Sequence, residues 1–551
     1  MEKIWLKAYP EGVPADINPD HYRSLVHVLE HSCDTFADRP SYMNLGHSIS
    51  YAELDKLSQA FASYLQNTLH LKKGDRVMLM MPNLLQYPVA LFGILRAGMI
   101  AVNTNPLYTP DELLHQVNDS GAETIVVLSN FAQTLEKALP KTKLRHIIVT
   151  EIGDCLGFPK KQIVNFVVRY IKKMIPPWKI RGTIPFNRVL EEGSKTTFNR
   201  VDVIGEDVAF LQYTGGTTGI SKGAVLTHRN MVANLEQASA WIQKDLIPGK
   251  EIVVTALPLY HIFSLTANCL VFMKIGGMNL LITNPRDIKN FIKEIANTEF
   301  TAFTGVNTLF NALLHNTDIY KVDFSKLKFA LAGGMALQKP VSDAWRELTR
   351  SPIVEAYGLT ETSPGVCINP LTMDHFNGAI GLPLPSTDIQ ICDDDGEPLP
   401  IGESGELCIK GPQVMREYWN KPEETAKVFS ADGWLKTGDI AKIDEEGFVY
   451  VVDRKKDMVI VSGFNVYPNE IEQIIAQHPG VLEVGVVGVP SEESGEKVKA
   501  FIVKKDPRLT KASIIAHCRQ YLTSYKIPKA IEFVDELPKT NVGKILRRKL
   551  R

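Results

Sequence analysis

Three observations predict an α/β chain: a large N-terminal domain of doubly wound, mostly parallel sheets with a β-rich subdomain, followed by a small α+β C-terminal lid. Short apolar runs alternate with helix-periodic segments over residues 75–150 and again over 251–358. Strand, helix, strand at these lengths is the βαβ unit of a sheet covered on both faces. From about Gly378 helical periodicity fades, and turns such as DDDGEP and DEEGF separate short strands, which places a compact β-rich subdomain at about 378–452. Beyond Asp453 the charged run DRKKD reads as a hinge, and the segment after it has its own strand and helix pattern. The predicted units are therefore 1–452 and a mobile lid, 453–551.

At 551 residues the chain is too long for one core. Its 61 basic and 62 acidic residues nearly cancel, so global charge predicts neither nucleic-acid nor polyanion binding. The seven cysteines (33, 155, 269, 367, 392, 408 and 518) are scattered, with no C-x-x-C spacing. That usage fits reduced thiols in a cytoplasmic protein and predicts no metal site built on them. The opening MEKIWLKAYPEGVPADI has acids and prolines where a signal peptide needs an apolar stretch, and Arg96 and Lys274 interrupt the two best candidates for a membrane helix. The expectation is a soluble protein.

In chain order, RVMLMM, MIAVNTN, ETIVVL and HIIVT are the strands of the first block, with helices at LLQYPVALFGILRAG and ELLHQVNDSG. Between Cys155 and Leu190 there are eight basic residues and no acid. Within it Ile163, Phe166, Val167, Tyr170, Ile171 and Met174 recur at helical spacing among Lys160, Lys161, Arg169, Lys172, Lys173, Lys179 and Arg181. Such a stripe serves either to pack on its own domain or to lie on an anionic bilayer, and both readings stay open here.

The stretch Tyr213–Ala224, YTGGTTGISKGA, offers little apolar surface but much backbone freedom between two apolar runs, AFLQY and AVLT. Glycine backbone amides can turn inward on an anion. The hydroxyls of Thr214, Thr217, Thr218 and Ser221 can donate, and Lys222 supplies a point charge. The stretch, with Gly215, Gly216 and Gly219, reads as a phosphate-holding loop between strands, or else as an exposed flexible loop. It is not a Walker A loop, because Lys222 is followed by Gly223 rather than Ser or Thr.

After the loop the alternation resumes, and polar or Gly-rich segments follow the strands at Tyr260-His261, Gly305-Val306, Gly333-Gly334 and Tyr357–Thr362. Ligands bind beyond the carboxyl ends of a doubly wound sheet, so these four ends are expected to ring one crevice with the loop over it. Glu361 there suits Mg²⁺, which takes oxygen ligands and bridges phosphates, or else is a helix-capping acid. Asp439 in GWLKTGDI and Arg454 in VDRKKD are candidates for a ribose diol, though each alone reads as a surface charge. His261 is open between core histidine and site residue, and Lys544 by itself is an ordinary tail lysine.

Taken together, YTGGTTGISKGA, PLYHIF, YGLTET, GELCIKGPQVMREYW, GWLKTGD, DRKKDMVIVSGFNVYPNEIE and PKTNVGKILRR give a chain that resembles the adenylate-forming enzymes of the acyl-CoA synthetase superfamily. Within it, the bacterial long-chain fatty acyl-CoA synthetases are most similar. The resemblance covers nearly the whole chain. Many relatives have Ser or Thr at Gly216 and Pro at Ser221, and the glycine pair looks like a mark of the bacterial fatty-acid branch.

The resemblance implies two steps, acyl-AMP formation from a fatty acid and ATP, then acyl transfer to coenzyme A. It assigns Lys544 to transition-state charge, Thr214 and Glu361 to Mg²⁺, and residues 214–219, Thr360 and Lys222 to the nucleotide phosphates. Gly333, Gly334, Tyr357 and Gly358 would line the adenine slot, with Asp439 and Arg454 on the ribose. Rotation about Asp453 would bring Ser462-Gly463 to the thiol, with Lys526 near a CoA phosphate. His261 joins the catalytic set. Peripheral contact with anionic membrane through 158–181 and a homodimer are further expectations, and medium-chain or aryl acids, or a non-catalytic binding role, are the alternatives.

Overall fold

The computed structural model describes residues 3–214, 221–491, 494–540 and 542–551. Two large sheets form its body. The first runs, edge to edge, through strands 184–185, 146–150, 124–128, 76–80, 100–103, 208–213 and 223–227. Every pair is parallel except the last, where Val208–Tyr213 and Gly223–Thr227 form an antiparallel hairpin around the Gly-rich stretch. The central strand, RVMLM at Arg76–Met80, is apolar on both faces because helices cover both. One of these is Gln86–Arg96, buried along its whole length.

The second sheet has nine strands, in the order 382–383, 365–368, 353–358, 329–333, 302–305, 252–255, 278–281, 40–44 and 47–50. Strands 353–358 through 40–44 are parallel, and antiparallel pairs close both edges. Helix starts are fixed by local chemistry. Asp287 caps the helix Ile288–Ile295 through the Asn290 N–H, and Thr227 with Asn230 forms a capping box at His228–Ile242.

The β-rich subdomain is a four-stranded antiparallel sheet, Asp388–Cys392, Gly405–Lys410, Leu435–Ile443 and Val449–Arg454, interrupted by the helix Pro422–Val428. Past it, five strands between Val459 and Val534 pack on helices Pro468–Ala476 and Lys511–Cys518. Their apolar residues, Val466, Ile471, Ile475, Val486 and Ile514 among them, form a core separate from that of the body. A unit with its own core can move as a unit. All seven cysteines are free thiols, and no helix among the described residues is long and apolar enough to cross a membrane.

The structure settles how the basic stretch faces. Lys160–Phe166 is helical and continues as one wider π turn, Val167–Ile171. Val168 points inward, Arg169 bonds Glu151, and Lys160 donates to the Leu45 carbonyl. Ile163, Phe166, Tyr170, Ile171 and Met174 all face solvent with Phe158, which is 87% exposed. The predicted stripe is therefore not the face that packs on the domain.

Candidate active site

The strands 353–358, 329–333, 302–305 and 252–255 are neighbours, so their carboxyl ends fall side by side as the sequence predicts. They border a narrow, partly open cleft lined by Leu257, His261, Phe263, Val306, Gly333 and Gly334 from the body and by Val542 and Lys544 from the lid. The other large sheet meets this edge through Gln212, whose amide donates to the Tyr260 carbonyl (2.7 Å). Gln212, at the end of strand Val208–Tyr213, is thereby tied to the edge of the crevice.

Two glycines are required by close approach. A Cβ on Gly333 would stand 3.1 Å from both the Ala356 carbonyl oxygen and the Phe263 ring. Gly334 has φ +79°, and a Cβ there would lie 2.9 Å from Lys544 Cε.

Lys544 is carried on a tight turn. Thr540 N–H donates to the Lys544 carbonyl (2.7 Å), Lys544 N–H donates to Thr540 Oγ1 (3.0 Å), and Gly543 takes φ +84°. The lid is docked by side chains that bond backbone carbonyls: Thr308 to Gly543 (3.0 Å), Asn311 to Leu482 (3.1 Å) and Gln473 to Leu337 (2.8 Å). Burial pushes the Lys544 ammonium down from 10.5 to about 8; the Arg454 charge acts the same way, against Asp439 and Glu361. His261 is pushed down to about 3, by burial and then by the Lys544 charge. It is a neutral imidazole whose Nδ1 accepts the Phe263 N–H (3.3 Å).

Asp439 and Arg454 are cross-strand partners in the antiparallel register, with Arg454 Nε 3.6 Å from Asp439 Oδ1. The Tyr357 hydroxyl donates to Asp439 Oδ2 (2.6 Å), which carries this pair to the end of strand Ile353–Gly358. Burial raises the Asp439 pKa, opposed by the Arg454 charge and the Tyr357 bond. A carboxylate and a guanidinium held together in this way match the paired hydroxyls of a ribose.

Glu361 sits in the 3-10 turn Thr360–Thr362, and its Oε1 accepts from the Tyr418 hydroxyl (2.6 Å). Lys222 Nζ lies 4.5 Å over the Tyr418 ring and 2.9 Å from Glu424 Oε2. Tyr418 thus joins the acid to the lysine, a role the sequence reading missed. Its segment lies along strand Gly223–Thr227: Trp419 N–H donates to Gly223 O (2.8 Å) and Val225 N–H to Glu417 O (2.9 Å). The only signal in the sequence is that Tyr418 stands inside GPQVMREYW. The loop's ends are tied to each other by Thr214 N–H to Lys222 O (2.9 Å), and pinned from outside by Tyr213 to Asp119 (2.7 Å) and a His115 ring nitrogen 2.9 Å from Ser221 O. Gly215, Gly216, Thr217, Thr218 and Gly219 lie outside the described residues.

Glu361 and Thr214 carry the kinds of oxygen that a hard cation such as Mg²⁺ takes. A carboxylate accepts about four bonds, so the one from Tyr418 leaves oxygen capacity for a hard cation, and Thr214 adds a hydroxyl. Gly358 packs so closely under the turn that a Cβ there would meet Pro364 O at 2.0 Å. Ser462 and Gly463 are not part of the cleft lining. They form the exposed turn between Val459–Val461 and Phe464–Val466, with nothing within 4 Å of a Cβ built on Gly463. Lys526 is held by both oxygens of Glu470, at 2.7 and 2.8 Å.

Residues 29–419 match the AMP-binding enzyme family and residues 470–544 match the AMP-binding enzyme C-terminal domain. The chain is 59% identical over 551 residues to the long-chain-fatty-acid–CoA ligase of Escherichia coli O6:H1, covering 100% of this chain and 98% of that one. Against the long-chain-fatty-acid–CoA ligase of Haemophilus influenzae it is 53% identical over 554 aligned positions, with the same coverage. Among solved structures, an anthranilate CoA ligase, AuaEII, in complex with anthranoyl-AMP superposes with a TM-score of 0.86 at 26% identity, over 97% of this chain and 98% of that one.

Proposed function

The chain belongs to the AMP-binding enzyme family, and on that premise we propose how its residues divide the work of a long-chain-fatty-acid–CoA ligase. It is an AMP-forming acid–thiol ligase. In the first step a carboxylate oxygen attacks the α-phosphorus of ATP, the bond to the bridging oxygen breaks, and pyrophosphate leaves. In the second the CoA sulfur attacks the acyl carbonyl, the bond to AMP breaks, and the thiol proton is released.

The observation that carries the division is Lys544, delivered by the lid to the ring of strand ends beside Gly334. A buried ammonium aimed where non-bridging oxygens gain charge stabilises the transition state, and in water-poor surroundings it is worth more than in solvent. Tyr357, Gly333, Gly334 and Gly358 form the adenine slot, and Asp439 with Arg454 holds the ribose. Residues 214–219, Thr360 and Lys222 orient the β- and γ-phosphates as a leaving group. Thr214 and Glu361 hold Mg²⁺, which when bound neutralises those phosphates. His261 lines the cleft as a neutral imidazole near pH 7.

For the second step the lid turns about Asp453, the boundary between 1–452 and 453–551, and withdraws Lys544. The exposed Ser462-Gly463 turn is free to take its place, and Lys526 meets a CoA phosphate after leaving Glu470. The exposed apolar and basic face over 158–181 is read as a peripheral contact with anionic membrane, from which long acids are collected.

The decisive experiment measures AMP formation with CoA across acids of graded length, beside acid-dependent ATP–pyrophosphate exchange. A maximum at long-chain acids is expected. A preference for aryl or medium-chain acids would overturn the substrate assignment, and absence of exchange would overturn catalysis altogether.

A further inference from the structure

Three residues beyond Lys544, Arg547 is buried among acids. Its Nη1 lies 2.9 Å from Asp453 Oδ1 and 3.6 Å from Asp457, its Nη2 bonds Asn469 and is 2.8 Å from Glu472 Oε2, and its Nε donates to Glu472 Oε1 (3.2 Å). Side-chain exposure is 13% for Arg547 and 0% for Asp453. These bonds are of two kinds. Asn469 and Glu472 stand on the lid helix Pro468–Ala476, so their bonds travel with the lid in any orientation. Asp453 stands on Val449–Arg454, a strand of the β-rich subdomain, so its bond crosses from one unit to the other. Asp453 is itself held in place by the N–H groups of Arg454 (2.8 Å) and Asn469 (2.7 Å). Between Lys544 and Arg547, Leu546 N–H donates to Pro538 O (2.7 Å), which fixes the spacing of the two cations.

We propose that Arg547 is the positioning residue that latches the lid in its adenylating orientation, by tying the carboxylate of Asp453 to the tail that delivers Lys544. The fork of a guanidinium is suited to this, because it bonds the lid acid and the hinge acid at once while a lysine would meet them as a single point. Turning the lid must exchange the Asp453 bond, so the latch biases which half-reaction the enzyme is poised for. The inference rests on the role given above to Lys544 and to the turn about Asp453.

The test uses the full-length enzyme and its two half-reactions, acid-dependent ATP–pyrophosphate exchange and thioester formation from synthetic acyl-AMP and CoA. Asp453→Asn is the primary variant, because it keeps shape and leaves Arg547 paired with Glu472. Exchange is expected to fall about thirtyfold while thioester formation changes less than about threefold, the range for unpairing a buried charge. Arg547→Lys should lose less exchange than Arg547→Gln, and joining Asp453→Asn to Arg547→Gln should cost little beyond the worse single change. Equal loss in both half-reactions, or no loss in exchange, overturns the latch. Lys544→Ala run alongside separates the two ideas. If it leaves exchange intact the reading of Lys544 fails, and if it abolishes exchange while Asp453→Asn leaves exchange at the wild-type rate, only the latch fails.

Discussion

Raising the pH from 7 to 9 should disable adenylation by discharging one buried lysine. Burial beside Gly334, aided by the Arg454 charge, holds Lys544 near 8 rather than 10.5. With that value about nine-tenths of the lysines are protonated at pH 7 and about one-tenth at pH 9, so kcat/KM for acid-dependent exchange should fall roughly tenfold. The sign of the docking term is opposite. An inserted lysine binds its proton less tightly than a solvated one, so between about pH 8 and about pH 10.4 rising pH favours the inserted lid. Rate is therefore lost while docking improves, which separates loss of charge from loss of the closed arrangement. His261 stays neutral throughout, being held near 3. The assay is exchange against pH for wild type and Lys544→Arg, with thioester formation from acyl-AMP in parallel. Lys544→Arg should be slower at pH 7 but flat to pH 9. Thioester formation should rise with pH as CoA ionises, since thiols titrate near about 8.5. An unchanged wild-type rate at pH 9, or the same descending limb in Lys544→Arg, would refute the reasoning.

Three other outcomes are expected. Tyr418→Phe removes the donor that orients Glu361 while keeping a ring under Lys222; loss of a group that orients a metal ligand costs about ten- to hundredfold in metal affinity, so the Mg²⁺ concentration for half-maximal exchange should rise by about that factor, read by Mg²⁺ titration at fixed ATP. Gly334→Ala puts a methyl 2.9 Å from Lys544 Cε at φ +79°, and exchange should drop about tenfold with thioester formation spared, measured as separate half-reactions. Changing Lys161, Lys172 and Lys173 to Gln should weaken binding to anionic vesicles roughly a hundredfold at low salt, at about 1 kcal/mol per basic residue, with activity on detergent-dispersed acid kept. Lys160 is left in place because it anchors the helix to Leu45, and unchanged vesicle flotation would remove the membrane reading.

Much of this was legible from local pattern. Buried parallel strands announce themselves as unbroken apolar runs, which is why RVMLM and its neighbours, the hairpin around residues 213–224 and the four strand ends could be read in order. Other elements could not. Strand Pro40–Asn44 crosses into the second sheet to pair with Met278–Leu281, more than two hundred residues away, and no periodicity reports a partner at that separation. The helix Pro422–Val428 lies in a region whose turns suggested strands alone. Tyr418 was missed because its meaning comes from lying beside Gly223–Thr227 and under Lys222.

The sequence by itself determined the α/β class and the small C-terminal unit, and named candidate residues for a nucleotide, because hydrophobic period, turn chemistry and motif order are local properties of the chain. Only the tertiary structure decided which of them meet. It brought Lys544 to Gly334, bound Asp439 to Tyr357 and Arg454, aligned Tyr418 with Glu361, and left the stripe at 163–174 facing water rather than core. The physical reason is that charge and hydrogen-bond energies fall away within a few ångströms and depend on burial. A lysine in a basic tail becomes a group titrating near 8 only when a distant strand end takes it out of water.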